Sequence, residues 1–130
     1  MTAGQRLTLA LDLPLGPEAC AVARRTVRDA LSAWGVGGEG LAYDATLVVT
    51  ELVSNGVRHG GDAVRLELAT EAGCLEVAVV DGSAVLPEAR GSDGESEGGR
   101  GVAIIEAVSR RWGVQALGEG KRVWAEIARG

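Results

Sequence analysis

Paired cysteines, histidines and most aromatic residues are scarce in this sequence. Its 130 residues include no Phe, one Tyr, three Trp and one His. The two cysteines, Cys20 and Cys74, stand far apart, and neither belongs to a CxxC pair. Zinc sites need clustered ligands, and disulfide frameworks need several cysteines. We therefore expect neither kind of site, and a reducing compartment such as the cytoplasm.

An excess of positive charge is also missing. The net charge is −5 and the isoelectric point is about 4.9, whereas a duplex-binding domain needs a basic surface. The apolar runs are too short for a signal peptide or a membrane span, because Asp12 interrupts the N-terminal candidate between Leu7 and Leu15. We expect a cytoplasmic protein that contacts neither nucleic acid nor a membrane directly.

The length and composition predict one domain, residues 1–130. Hydrophobic residues make up 46% and charged residues 24% of the chain, which is typical of a globular domain. The length matches the common domain size of about 100 to 150 residues. Without Phe, the core volume must come from Val, Leu, Ala and Ile.

Hydrophobic periodicity predicts alternating groups of helices and strands. In chain order these are a strand at 6–11, helices at 17–34 and 41–58, strands at 63–70 and 74–80, a long mobile loop at 82–98, a helix at 101–112, and strands at 114–117 and 122–127. Helices grouped against hairpins predict the α+β class. We expect a two-layer α/β sandwich with the helices on one face of a mostly antiparallel mixed sheet.

The second predicted helix carries the motif E51-L-V-S-N55-G-V-R58-H59-G60. At about 100° per residue, Glu51, Asn55 and Arg58 fall on one polar stripe, apart from the apolar face. Glu51 and Asn55 lie about 6 Å apart along the axis, close enough to act on one bound group. An ordinary polar pair on a solvated face is the alternative. His59 is favourably placed against the dipole at the end of the helix.

Asp81 ends an apolar strand in the motif VVDGS. A carboxylate at a buried strand end needs a partner, and the amino group of a ligand would serve. A turn in which Asp81 caps Gly82 and Ser83 is the alternative interpretation.

The motif GGRG at 98–101 comes immediately before an amphipathic helical pattern. Glycines let a backbone approach a ligand, and the amides of a helix N-terminus attract anions. The segment is therefore a candidate phosphate-binding site. It is neither a Walker A loop nor a dinucleotide-binding fingerprint.

The motifs ELVSNGVRHG, VVDGS, GGRGVAII and GKRVWAEI occur in this order over nearly the whole chain. In order and spacing they resemble the GHKL ATPase superfamily, whose members bind nucleotides with the Bergerat fold. More narrowly, they look like the small anti-sigma-factor serine/threonine kinases. The resemblance implies a histidine kinase-like ATPase domain that uses ATP and Mg²⁺.

The resemblance also implies roles for individual residues. Asn55 stands where the family coordinates Mg²⁺, Glu51 where it has a candidate general base, and Asp81 where an acid accepts a hydrogen bond from the adenine amino group. Gly99 and Gly101 match the turn between the ATP lid and the following helix, with the lid at about 82–98. Further nucleotide contacts are implied at Arg58, His59, Ser83, Arg100 and Val102.

The sequence departs from the family pattern in several places. Gly56 stands where the family usually has Ala, and Arg122 stands where many members have a Thr that supports the adenine contact. The lid is acidic, with Glu88, Asp93, Glu95 and Glu97 against Arg90 alone. We therefore expect a modest nucleotide affinity.

The resemblance implies an ATP-dependent protein serine/threonine kinase. It would phosphorylate an anti-sigma-factor antagonist, sequester a sigma factor and form a homodimer. A regulatory module that binds nucleotide and partner without transferring phosphate is the alternative. A histidine-kinase catalytic fragment fits less well, because no dimerisation helix with an acceptor His precedes the motifs.

Overall fold

The computed structural model describes residues 6–59, 63–71, 73–82, 97–118 and 120–128, with the backbone alone for residues 59 and 97–101. The elements in chain order are β1 (Leu7–Asp12), α1 (Ala19–Trp34), α2 (Glu39–His59), β2 (Val64–Glu71), β3 (Cys74–Asp81), α3 (Glu97–Val108), β4 (Arg111–Leu117) and β5 (Gly120–Ala128). The helices pack against one sheet, which confirms the predicted α+β sandwich.

The strands form one five-stranded sheet in the order β1-β2-β3-β5-β4. Each neighbouring pair is antiparallel. The sheet is thus antiparallel throughout the described strands rather than mostly antiparallel. β5 lies between β3 and β4, although β4 precedes it in the sequence. This insertion puts β3 at the centre of the sheet and sets Asp81 opposite Lys121 of β5.

The hydrophobic core lies between the helices and one face of the sheet. Alternate residues of β2 point into it, because side chains of a strand alternate between the two faces: Val64, Leu66 and Leu68 are buried, whereas Arg65 is exposed. The buried residues of α2 are Leu41, Ala42, Ala45, Thr46, Val48, Val49, Leu52, Val53 and Gly56. In the described part of the chain the core cluster consists of Leu, Ala, Val and Ile alone, as the lack of Phe predicts.

The two long helices, α1 and α2, pack against each other. α1 ends at Gly35, whose left-handed backbone (φ 65°, ψ 39°) is one that glycine adopts readily. The N–H groups of Gly35 and Val36 donate to the carbonyls of Ser32 and Leu31, which closes the last turn. Of the helices that the structure describes, none has the length and apolar character to cross a membrane.

The boundary between α3 and β4 differs from the sequence prediction. The helix expected at 101–112 begins at Glu97 and ends at Val108, and Trp112 belongs to β4, where it pairs with Ala125 of β5. Trp112 packs against the core from this strand, so its apolar position suits a strand as well as a helix. Glycines carry no apolar signal, and periodicity could therefore not detect the first turn of α3.

Candidate functional site

The C-terminal half of α2 has a polar face. The side chains of Glu51 and Asn55 are half-buried on this face, and Arg58 is exposed. Nη2 of Arg58 donates to Oγ of Ser54 at 3.4 Å. Val53, on the core side of the helix, is fully buried. The helix thus offers a carboxylate, an amide and a guanidinium along one side, as the 3.6-residue period predicts.

α1 borders this polar face. The thiol of Cys20 donates to the carbonyl of Thr50 at 3.8 Å, and Nη1 of Arg24 donates to Oγ1 of Thr50 at 3.3 Å. Burial raises the pKa of the Cys20 thiol; Arg24 opposes this shift and Glu51 adds to it. Sequence reasoning did not identify Cys20 and Arg24 as neighbours of Glu51. Their spacing of four residues marks a common face of α1, but no pattern indicates which helix that face meets.

Asp81 lies at the end of β3 and is paired inside the protein. Nζ of Lys121 donates to both carboxylate oxygens, at 2.9 Å and 3.0 Å. Only 2% of the Lys121 side chain and 1% of the Asp81 side chain are exposed. The sequence predicted a partner for this carboxylate, either a ligand amino group or a local turn. In the structure, the ammonium group of Lys121 on the neighbouring strand is a partner of this carboxylate.

Lys121 is a residue of the candidate site that sequence reasoning missed. A usable signal exists in β5, where the buried residues Val123, Ala125 and Ile127 alternate with residues that are only partly buried. Because strand side chains alternate with a period of two, Lys121 must share the core-facing side of the sheet. A buried lysine needs a nearby acid, and Asp81 is the carboxylate opposite it.

Arg122 lies on the other face of the sheet. Its Nε donates to Oε1 of Glu67 at 2.8 Å, and its Nη2 donates to Oε1 of Glu76 at 2.9 Å. Arg122 therefore does not stand beside Asp81, the candidate adenine-binding acid. Adjacent residues of a strand point to opposite faces, so Lys121 occupies that place and Arg122 joins an ion-pair network on the outer face.

Two glycines allow the backbone to approach Asp81. A Cβ atom at Gly56 of α2 would lie 3.4 Å from Oδ2 of Asp81 and 3.3 Å from Cγ1 of Val79. A Cβ atom at Gly120 would overlap the carbonyl oxygen of Asp81. The C-terminal half of α2 and the start of β5 therefore close around the end of β3.

The polar residues of α2 are spread along this site. Gly56 contacts the region of Asp81, and Glu51, five residues earlier, lies about 7.5 Å away along the helix axis. Asn55 lies between them. Asp81 and Glu51 thus stand near different ends of the site, an arrangement that suits an extended ligand.

The start of α3 contributes its backbone. The segment Gly99–Gly101 lies within the first turns of α3 rather than before the helix. The first N–H groups of a helix lack partners within it and attract anions. The side chain of Val102 is buried in the core. α3 packs against α2.

Several predicted contacts lie outside the described residues. Ser83 and the rest of the expected lid, to residue 96, are among them, and so are the side chains of His59 and Arg100. Within the described ranges, there is no group of three or more His, Cys, Asp and Glu side chains that could hold a metal ion.

Comparisons with known proteins agree with the motifs. The chain matches the family model of the histidine kinase-like ATPase domain over residues 13–127. No curated protein matches it. Its fold is similar to the crystal structure of the RsbU and RsbW domains of Rv1364c from Mycobacterium tuberculosis, with a TM-score of 0.72 and 18% identity over 95% of this chain and 33% of that one. This chain thus spans about a third of that structure's chain. Since the family model covers most of the sequence, the chain belongs to the histidine kinase-like ATPase domain family.

Proposed function

We propose that this chain is an ATP-binding anti-sigma factor with serine/threonine protein kinase activity. It would phosphorylate an anti-sigma-factor antagonist and sequester a sigma factor. The observation that carries the proposal is the approach of α2 to the strand-end acid, where a Cβ at Gly56 would lie 3.4 Å from Oδ2 of Asp81. In a histidine kinase-like ATPase domain, this approach brings the polar face of α2 and a potential base-binding carboxylate to one site.

The described residues fit a magnesium nucleotide. Asn55 offers a half-buried amide oxygen, a ligand that suits Mg²⁺, which usually keeps few protein ligands and shares the phosphates of its nucleotide. When bound, the ion would neutralise phosphate charge. Asp81 would accept a hydrogen bond from the adenine amino group once Lys121 releases at least one of its two hydrogen bonds to the carboxylate.

The phosphates would lie near the start of α3. Gly99 and Gly101 leave its first turns open to close approach, and the backbone N–H groups there favour an anion. Arg100 would add a bidentate contact. Val102 would contribute through its backbone, since its side chain is buried. We assign the remaining contacts to Arg58, His59 and Ser83. We assign the closing lid to the segment between β3 and α3, since α3 begins at Glu97 and not after residue 98.

Glu51 would act as the general base. It lies one helical turn from Asn55, about 6 Å along the axis. Its carboxylate would accept the proton of the serine hydroxyl as that oxygen bonds to the γ-phosphorus of ATP and ADP leaves. The adjacent N-terminal half of α1, with Arg24 at Thr50, would border the incoming substrate. A homodimer is the expected assembly.

A nucleotide-binding regulator without phosphotransfer is the second candidate. The observation in its favour is the buried ion pair of Asp81 with Lys121, because an acid held by an internal cation is less available to a base. Such a protein would still bind its partners and respond to nucleotide.

Incubation with radiolabelled ATP, Mg²⁺ and a candidate antagonist tests the proposal. We expect label on a serine or threonine of the antagonist, and none when Glu51 is replaced by Gln. ATP binding without any transfer would favour the regulator. Absence of nucleotide binding would overturn both candidates.

A further inference from the structure

The interaction that sets Asp81 apart from an open ligand-binding acid is its pairing with Lys121. The two residues are opposite each other in the register of β3 and β5. Nζ of Lys121 lies within hydrogen-bonding distance of both carboxylate oxygens, and the two side chains are almost completely buried. In this conformation a ligand cannot reach the carboxylate without moving its neighbours.

We propose that Lys121 is an affinity-determining residue of the nucleotide site, an internal competitor that must release Asp81 before the carboxylate can bind the amino group of adenine. This inference rests on the proposed nucleotide-binding function. It gives a role in ligand binding to Lys121, a residue to which the resemblance assigned none.

The competition follows from the chemistry of the two donors. Both an ammonium and an adenine amino group donate N–H to a carboxylate, but hydrogen bonds from a charged donor are about twice as strong as those from a neutral one. The ligand therefore has to replace a strong contact with a weaker one. The difference corresponds to about a tenfold loss of nucleotide affinity.

The structure offers Lys121 a route away from Asp81. Its partner on the edge strand β4 is Ala116, a small and exposed residue on the same face of the sheet. A lysine side chain is a flexible four-carbon stem with a strongly hydrated end. Rotation across Ala116 would bring the ammonium to water at the edge of the sheet, while the stem keeps its contact with the strand.

The first test compares ATP affinities by calorimetric titration in the presence of Mg²⁺. We expect Lys121→Met to bind ATP about tenfold more tightly than the wild type. The matched control is Arg122→Met, the neighbouring residue of β5 whose side chain lies on the opposite face, and it should leave the affinity unchanged. If the wild type binds ATP and Lys121→Met binds it equally or more weakly, this inference is overturned and the proposed nucleotide-binding function is not.

A second measurement uses the wild-type protein and does not depend on the folding of a variant. Lys121 is the only lysine in the sequence, so isotopic labelling of lysine gives one set of side-chain NMR signals. We expect saturating ATP to shift these signals towards those of a solvated lysine. Signals that stay at the free-protein position under saturating ATP would contradict the release of Asp81. If neither the wild type nor the variants bind ATP, the proposed function itself fails.

Discussion

Gly56 of α2 and Asp81 of β3 lie so close that a methyl group on the glycine would sit 3.4 Å from Oδ2 of the acid. The helix can therefore approach the end of the strand without displacing the carboxylate. Because Asn55 is the neighbouring residue of α2, this approach also fixes how far the proposed Mg²⁺ ligand lies from the proposed adenine-binding end of the site. The distance between α2 and the sheet therefore sets the spacing of the polar groups in the candidate site.

Replacing Gly56 tests this close approach. Gly56→Ala should stabilise the fold by less than about 1 kcal/mol, because the gain in helix propensity is offset by the tight contact with Val79. Gly56→Val should destabilise it by about 1 to 3 kcal/mol, because its branched side chain overlaps the same neighbours. Urea unfolding measures both. Gly40 lies in the first turn of α2, where a Cβ meets nothing within 4 Å, and Gly40→Ala and Gly40→Val are the matched controls. If Val is tolerated equally well at positions 40 and 56, the prediction is contradicted.

The buried pair of Asp81 and Lys121 should be important for stability. Removing one partner leaves a buried charge without compensation, so Asp81→Asn and Lys121→Met should each lower the free energy of unfolding by about 3 to 5 kcal/mol. The double variant should lose less than the sum of the two single variants. Denaturant unfolding of the four proteins gives this coupling energy. Additive losses would mean that the two groups do not stabilise each other.

Glu51→Gln should separate binding from chemistry. Loss of a general base slows proton transfer by about a hundredfold to ten-thousandfold. ATP affinity should stay near the wild-type value, because Glu51 stands away from the proposed adenine-binding end of the site. Single-turnover phosphorylation of the antagonist and calorimetric titration measure the two effects. Glu39→Gln, an exposed carboxylate at the start of the same helix, should retain full activity. Unchanged transfer by Glu51→Gln would remove Glu51 from the mechanism.

Stability should depend on pH through Glu126. Hydrogen bonds from Arg111, at 3.0 Å and 2.8 Å, lower the pKa of this carboxyl below its ordinary value of 4.5. The pKa of Glu126 is lower in the folded protein than in the unfolded chain. The charged carboxylate therefore stabilises the fold at pH values above the ordinary pKa, and this contribution is lost as the pH falls through the pKa of the folded protein.

The difference in unfolding free energy between the wild type and Glu126→Gln should therefore shrink from neutral pH into the acid range. The effect should be smaller than for the buried pair, because Arg111 is exposed and water screens the interaction. Arg111→Met should reduce this pH dependence, although Arg110 also lowers the pKa of Glu126. A constant difference at every pH would show that Arg111 does not perturb Glu126.

Local patterns predicted most of this fold. α2 follows from a long apolar period, and the burial of Val53 beside the polar Asn55 matches that period. The hairpin of β2 and β3 follows from two alternating runs around Gly73. The first turn of α3 could not be predicted, since its glycines carry no periodic signal, and Trp112 was misassigned because its apolar spacing fits both helix and strand.

The sequence predicted the features of the candidate site that lie within one helix or strand. It did not predict those that depend on how two strands pair. Asp81 was recognised because an acid ends an apolar strand. Its actual partner depends on which residue of β5 stands opposite, and this register is set by pairing between segments far apart in sequence. Lys121 and Arg122 are adjacent in β5. A shift of one residue in the register of β3 and β5 would therefore place Arg122 opposite Asp81 in place of Lys121.

The insertion of β5 between β3 and β4 has a consequence for the newly made chain. On the ribosome, β3 emerges well before β5, and until β5 arrives one side of β3 is an edge with unpaired backbone groups. Such edges invite pairing with other chains, and a contact between distant segments forms slowly. Until β5 docks, β3 therefore exposes a strand edge that can pair with another chain.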